Sequence, residues 1–327
     1  MSAPFDDPDD SAPPTQVVRV VYGGRWRVDG LLGRGGMGTV FRGVDLQTGL
    51  AVAIKTLAMQ LVDTPDALKR FEREAALCSK LKHAALPGFH AFGWHHGMPY
   101  FVMSVVEGQT LRERIDDQTP TDATLAFGLL SQLADVLDFL HAQGVVHRDL
   151  KPDNVIIDER GRLTLIDFGI SAQTDVTRLT LPGRLVGTPL YLAPEAIATG
   201  QATPASDVYA MGLLAFTLLT GAHPFANDVR ASMLTRQLSE VPRPAHLANP
   251  RVSEPVAGVL ARALEKNPKA RYPSAVAFVH ALQVAHHPPA ASQTEADETL
   301  KYERPVFPHL ARNPAAPPRP KPTRKPR

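Results

Sequence analysis

The chain carries one cysteine, Cys78, in 327 residues. A lone thiol excludes a disulfide within the chain, and cysteine this scarce fits a reducing compartment. Neither sign of charge is in excess. The 35 Lys and Arg residues against 33 Asp and Glu leave a net charge of +2, so bulk electrostatics gives no case for specific nucleic-acid binding. Long apolar runs are missing as well. The most apolar stretch, "VYAMGLLAFTLLTG" (Val208–Gly221), is bounded by Asp207 and by His223-Pro224. It falls short of the roughly 20 residues a membrane span needs, so a buried helix is expected there. The opening "MSAPFDDPDD" is acidic and polar and lacks the basic and apolar regions of a signal peptide. The expectation is a soluble, cytoplasmic protein with no transmembrane segment. No internal repeat is present. The pairs His95-His96 and His286-His287 have no further ligands at structural-zinc spacing and read as solvated turn and linker residues. Trp26 and Trp94 read as packing or surface residues.

What the chain does have is enough apolar material, 44%, to build a sizeable core, and a length that favours two lobes or domains. Residues 1–16 are rich in Asp, Pro and Ser and are expected to be a disordered tail. From about Val17 to Val105, β-like runs dominate: "WRVDGLLG", "GTVFRGVD", "LAVAIKTL" and "PYFVMSVV". One helix interrupts them, Pro65 to Leu81, with Leu68, Phe71, Ala75, Cys78 and Leu81 on one face at helical spacing. From Thr110 helices take over, including "TLAFGLLSQLADVLDFLHAQG", which ends on Gly144 as a helix C-terminus would. Residues 285–327 form a Pro-rich, basic tail suited to extended polyproline II rather than to a core.

Four stretches carry chemistry. "LGRGGMGTV" spaces Gly33, Gly35 and Gly38 so that a tight turn could bring backbone N–H groups to a phosphate. A dinucleotide-binding turn requires a helix directly after the glycines. Here "TVFRGVD" alternates like a strand, so that reading fails. "AVAIK" ends a β-branched run on Lys55, either a strand-end charge or a cation aimed at phosphates. If the latter, Glu74 on the next helix is the carboxylate to hold it, since Glu72 falls on another face. "VVHRDLKPDNVII" (Val145–Ile157) places charged groups between buried runs, the pattern of a rigid loop on which reactive groups sit. Asp149 could accept or orient a hydroxyl proton, Lys151 could neutralise a transferring phosphoryl group, and Asn154 could offer oxygen to Mg²⁺. "LTLIDFGIS" ends an apolar strand on Asp167, a second carboxylate suited to Mg²⁺.

Together with "GTPLYLAPE", these motifs in this order resemble the eukaryotic-type (Hanks-type) Ser/Thr protein kinase family, in its bacterial form, over about Gly24 to Leu282. The resemblance implies an α+β, two-lobed protein kinase fold. A small β-rich N-lobe with one key helix would span about 17–105, and a larger α-helical C-lobe about 106–284. It implies ATP and Mg²⁺ as cofactors, with Mn²⁺ as a substitute. Leu32, Gly33, Arg34, Gly35, Gly36 and Gly38 would cover the phosphates. Val40, Ala53 and Ile156 would sandwich adenine. Met103 would be the gatekeeper, and Ser104 to Val106 the hinge whose backbone bonds the base. Lys55 with Glu74 would position phosphates, Asn154 and Asp167 would hold metal, and Asp149, Lys151 and Asn154 would act at the transferring group. Cys78, Phe89, His147 and Phe168 resemble a stacked spine, ordinary core packing being an equal account. Asp207 would anchor the loop near His147 and Arg148, and Arg271 would pair with Glu195. Ser104 departs from the Glu common at this position.

The implied reaction is transfer of the ATP γ-phosphoryl group to Ser or Thr hydroxyls of protein substrates, with Thr188 helping to shape the site. Arg148 would pair with a phosphate placed by autophosphorylation on Thr177 or Thr180, in a segment that also holds Thr174. The implied partners are protein substrates, a second copy for trans-autophosphorylation, and something that reads the basic, Pro-rich tail. The alternative is a pseudokinase-type scaffold that binds ATP or partners without transfer. It is disfavoured because Lys55, Asp149, Asn154 and Asp167 are all present.

Overall fold

The structure, a computed structural model, describes residues 20–115, 119–167, 189–225 and 230–287. The tails expected at 1–16 and beyond 287 lie outside these residues, as do Phe168, Gly169, Thr174, Thr177, Thr180 and Thr188. The front part is a six-stranded antiparallel sheet built from β1 (Val21–Tyr22), β2 (Trp26–Arg34), β3 (Gly38–Asp45), β4 (Ala51–Leu57), β5 (Phe89–His95) and β6 (Met98–Ser104), in the order β1-β2-β3-β4-β6-β5. Helix α1 (Pro65–Lys80) lies between β4 and β5 in sequence.

Strand alternation decides what each face does. On one side Tyr22, Trp26, Val52, Ile54, Tyr100 and Val102 form a small core. On the other, Leu57 and Phe101 pack against Phe71 and Ala75 of α1. The helix therefore sits on the face to which β4 also turns Ala53 and Lys55. Glu72 points outward, as its helical phase requires. The sequence reading located β2, β3, β4, β6 and α1 to within a few residues but did not separate out β1 or β5. β5 is an edge strand whose alternate residues His90, Phe92 and Trp94 are exposed, so it has no continuous apolar run to announce it. Trp26 is buried beneath the Arg25 guanidinium, which stands 4.3 Å from its ring centroid, while Trp94 is on the surface.

The back part is helical. A short sheet of β7 (Gln109–Thr110), β8 (Val155–Ile157) and β9 (Leu163–Leu165) crosses its top. Below it lie α2 (Leu111–Arg114), α3 (Ala123–Ala142), α4 (Pro194–Thr199), α5 (Pro204–Thr220), α6 (Arg230–Ser239), α7 (Ala245–Ala248), α8 (Glu254–Ala263) and α9 (Ala275–His286). α5 is the buried helix foreseen at Val208–Gly221, and every residue from Ser206 to Thr220 is buried. Among the described residues α3 alone is long and apolar enough to cross a membrane. Here Leu129, Leu130, Leu133, Leu137 and Leu140 of α3 are buried in the main core. Gly144 follows α3 at φ 72°, the left-handed value that glycine adopts without strain. One expectation is corrected: His286 is no linker residue but the last residue of α9, its ring 4.8 Å from that of Phe127. The apolar face of α9 carries the helix that far, past the expected boundary at 284.

Arg271 ties this part together. Its side chain is fully buried and donates to both Glu195 oxygens at 2.7 Å, to the carbonyls of Ala205 (2.8 Å) and Glu265 (2.7 Å), and to Lys266 O at 3.2 Å. Ser206 adds a bond to Glu195 at 2.7 Å. Burial alone would raise the Glu195 carboxyl, but the bonds from Arg271 and Ser206 outweigh it and hold it below the ordinary glutamate range. Removing one partner of such a pair costs about 3–5 kcal/mol, so Arg271→Ala should lower the denaturant midpoint by a corresponding amount; a loss below about 1 kcal/mol would contradict the strut. Because the folded carboxyl has the lower pKa, its contribution is present above the unfolded value and fades as pH falls through the folded one. Unfolding measured across the acid range should therefore show a shallower loss of stability in Glu195→Gln than in the wild type.

Candidate active site

The sheet register assembles one wall of a cleft. Val40 faces Lys55 and Lys55 faces Phe101; Arg42 faces Ala53 and Ala53 faces Met103. Paired residues share a face and residues two apart share a face. Val40, Ala53, Lys55 and Met103 are therefore all on the α1 side. Above them the β2–β3 hairpin carries Leu32, Gly33, Arg34, Gly35, Gly36 and Gly38, closed by Gly35 N–H donating to Gly38 O at 2.9 Å. No helix follows the glycines. The three motif glycines differ in role. A Cβ on Gly33 or Gly35 would meet open space, whereas one on Gly38 would collide with the Thr56 carbonyl of β4. Ser104 ends β6, its N–H on Gly88 O at 2.7 Å and its hydroxyl 3.0 Å from His90 Nε2; Val106 follows, half-buried. Ile156, in the middle of β8, is turned by alternation away from the core that buries Val155 and Ile157.

Lys55 Nζ stands 2.6 Å from Glu74 Oε1 and 2.6 Å from Asp167 Oδ1. One ammonium thus faces two carboxylates. Lys55 and Glu74 are nearly buried, while 47% of the Asp167 side chain is exposed. Burial pulls the lysine down, but the charges of Glu74 and Asp167 prevail and keep it above its ordinary value. Asp167 is held below its usual range by the Lys55 charge. Burial raises Glu74, with Asp167 adding to the push. Next door, burial and the Glu74 charge push the Cys78 thiol up to about 12, so the single cysteine is not a poised nucleophile.

Asp149 lies on the loop between α3 and β8. Lys151 Nζ donates to its Oδ2 at 2.6 Å; Asn154 Nδ2 donates to its carbonyl at 2.8 Å and to Oδ2 at 3.1 Å. The β8–β9 pairing brings the second strand of the site alongside: Val155 faces Leu165, and Ile166 N–H donates to Asn154 O at 2.8 Å. Asn154 and Asp167 therefore flank the same end of one hairpin, side by side. Two backbone angles here are unusual. Arg148 has φ 70° and Asp167 has φ 55°, the left-handed region that non-glycine residues seldom occupy. Around Arg148 the Asp149 N–H bonds back to the His147 carbonyl at 2.9 Å, a three-residue turn of the strained kind.

That strain is held from below. Asp207 of α5 is buried and accepts from His147 N–H at 2.8 Å and Arg148 N–H at 3.0 Å; its Oδ2 also lies 2.7 Å from His141 Nε2. The sequence reading anticipated the anchor but not His141, whose only signal was a polar residue in the last turn of α3. His147 is fully buried, which lowers its pKa. Of the remaining spine residues, Phe89 packs beside Phe101 and Cys78 packs against the core of the helical part; Phe168 lies outside the described residues. Among the described residues no three His, Cys, Asp or Glu side chains converge as a metal site.

Replacing Asp207 strands buried donors, each costing about 1–3 kcal/mol. Asp207→Ala should speed amide hydrogen exchange at His147 and Arg148 well beyond the global change, and Asp207→Asn, which keeps one acceptor oxygen, should do so less. Exchange at those amides that changes no more than the global rate would remove the anchoring role.

A family model described as a protein kinase domain matches residues 26–288. The serine/threonine-protein kinase PknA of Mycobacterium tuberculosis is 33% identical over 285 residues, 85% of this chain and 65% of PknA. PrkC of Bacillus subtilis is 34% identical over 252 residues, 77% of this chain and 39% of PrkC. The chain thus spans less than two thirds of the length of these curated relatives. The crystal structure of the Mycobacterium tuberculosis PknI kinase domain superposes with a TM-score of 0.63 at 26% identity, covering 81% of this chain and 97% of that one. The β-rich front and the helical back are those of the protein kinase domain family, to which this chain belongs alongside bacterial serine/threonine kinases.

Proposed function

We propose that this chain transfers the γ-phosphoryl group of ATP to Ser or Thr hydroxyls of proteins. The observation that carries the reading is the convergence of Lys55, Glu74 and Asp167 on one wall with Asp149, Lys151 and Asn154 on the other. In this reading Lys55, steadied by Glu74, holds phosphates beneath the Gly33–Gly38 hairpin. Adenine lies among Val40, Ala53 and Ile156, past Met103, bonded by the backbone of Ser104 to Val106. Asp149 orients the substrate hydroxyl and takes up its proton, and Lys151 balances charge on the transferring group. The transition state is loose, so these residues act mainly by position and charge.

The donor set fits Mg²⁺. Asn154 and Asp167 offer hard oxygens at one hairpin end, and such an ion completes its shell with phosphates and water rather than a full protein cage. When bound it neutralises the phosphates; Mn²⁺ would serve the same donors. We further take the kinase domain to begin at about 17 and to run through the last residue of α9, His286, with the lobes dividing at about 105, a span in keeping with the family match to 26–288. Thr177 or Thr180 would be autophosphorylated in trans by a second copy and paired with Arg148, with Thr188 shaping the hydroxyl site. The half-buried, unreactive Cys78 suits the cytoplasm. No observation favours a scaffold without transfer.

Purified protein given radiolabelled ATP and Mg²⁺ should carry label on phosphothreonine or phosphoserine. Asp149→Asn and Lys55→Met should each reduce it by about 10²-fold or more while remaining folded. Equal label in wild type and Asp149→Asn would refute the assignment. Calorimetry gives a second check: Asp167→Ala should abolish the gain in ATP affinity that Mg²⁺ confers on the wild type, and an undiminished gain would take Asp167 out of the metal site.

A further inference from the structure

We propose that Arg42 and Glu107 form a gate at the outer edge of the nucleotide cleft, an ion pair that joins the front sheet to the helical part and sets how fast nucleotide leaves. The inference rests on the kinase reading above and concerns the control of that same site.

Arg42 stands one alternation beyond Val40 on β3, on the same face and about 7 Å further along the strand from the glycine hairpin. Its neighbour across the sheet is Ala53, whereas that of Val40 is Lys55. The cleft wall therefore runs from Lys55 at its inner end, past Val40 and Ala53, to Arg42 at its outer end. β3 lies inside the sheet, paired with β2 on one side and β4 on the other, so Arg42 moves only with the whole wall.

Glu107 belongs to the other side of the cleft. The next residue, Gly108, has φ 137°, and a Cβ there would strike the Ile157 carbonyl. Gln109 and Thr110 then pair with Ile157 and Ile156 of β8. The chain is thus pinned to the short sheet of the helical part directly after Glu107. Across the gap, Arg42 Nη2 donates to Glu107 Oε1 at 2.5 Å. That bond holds the Glu107 carboxyl below the ordinary glutamate range, so the pair is charged at neutral pH. Asp29 adds a second negative charge near Arg42, but it is itself bonded by Arg27 at 2.8 Å.

Two ion pairs therefore cross from the front sheet to the helical part, Lys55–Asp167 at the inner end of the wall and Arg42–Glu107 at the outer end. A nucleotide acts on them differently. Its phosphates and metal compete for both partners of the inner pair. The outer pair lies beyond Ala53 and can stay closed with the base in place. The wall cannot tilt away from β8 without parting Arg42 from Glu107, so release of the ligand requires the outer pair to open. Exposure makes that opening easy. The Arg42 and Glu107 side chains are 42% and 66% exposed, in contrast to the fully buried Arg271 strut, so water and salt reach the pair. A weak, reversible contact at this place gates exchange rather than holding the fold.

The test follows release by stopped-flow fluorescence, mixing protein loaded with a fluorescent ATP analogue and Mg²⁺ against excess ATP. The wild-type release rate should rise about three-fold between about 0.05 M and about 0.5 M salt as the pair is screened. Arg42→Ala and Glu107→Ala should each release about three-fold faster at low salt and respond little to further salt. Arg42→Glu, which sets two carboxylates face to face, should release fastest, and adding Glu107→Arg to it should restore slow, salt-sensitive release. Release from both alanine variants as slow as from the wild type, or a double variant no slower than Arg42→Glu alone, overturns the gate. Failure of the wild type to bind either the analogue or ATP would instead overturn the kinase reading on which it rests.

Discussion

Lys55 is where three independently built elements meet. β4 supplies it, α1 brings Glu74, and the second residue after β9 is Asp167, with the ammonium 2.6 Å from each carboxylate. Such an arrangement adds little to net stability, because desolvating the ions consumes most of what their attraction returns. What it supplies is specificity of geometry. The sheet, the helix and the hairpin can satisfy the buried lysine only when all three are in register, and the same register lines up Val40, Ala53 and Met103 on the cleft wall. An excess of negative charge remains on the exposed Asp167 side, which is where a cation or a phosphate-bound metal would be drawn.

The opposite wall is organised on a different principle. There the backbone itself is forced: Arg148 and Asp167 both adopt positive φ, and the turn at Arg148 delivers Asp149 towards Lys151 and Asn154. Conformations of this kind persist only when the surroundings over-determine them. Asp207 does so from the first turn of the most deeply buried helix in the described residues, spending both carboxylate oxygens on the two amides of the strained turn. His141 then closes the arrangement from α3. The loop is thus shaped by the core beneath it more than by its own sequence.

This division explains what the sequence could and could not disclose. β2, β3, β4 and β6 were legible as β-like runs, α1 by its 3.6-residue apolar spacing, and α5 as one unbroken apolar run, buried from Ser206 to Thr220. Lys55, Glu74, Asp149, Asn154 and Asp167 were legible because their neighbours repeat a pattern whose chemistry is demanding enough to recognise. β5 was not, since an edge strand exposing His90, Phe92 and Trp94 shows no clean contrast. His141 and the positive φ of Arg148 and Asp167 were not either. They depend on contacts made across 66 positions in one case and on tertiary strain in the other, neither of which leaves a local mark. His286 was misread for the related reason that a polar tip conceals a ring packed on Phe127.

Arg112 belongs to the same class of residue. Nothing in "TLRER" distinguishes it from an ordinary solvated helix cation, and only the packing of α2 on the Pro152–Asn154 turn sets it beside Asp153. The groups that define the chemistry are close in sequence or carried by recognisable motifs. The groups that tune it are brought in from elsewhere by the fold. A comparison by motif alone therefore matches the groups that line the cleft and misses contacts such as that of Arg112 with Asp153, which exist only once the chain has folded.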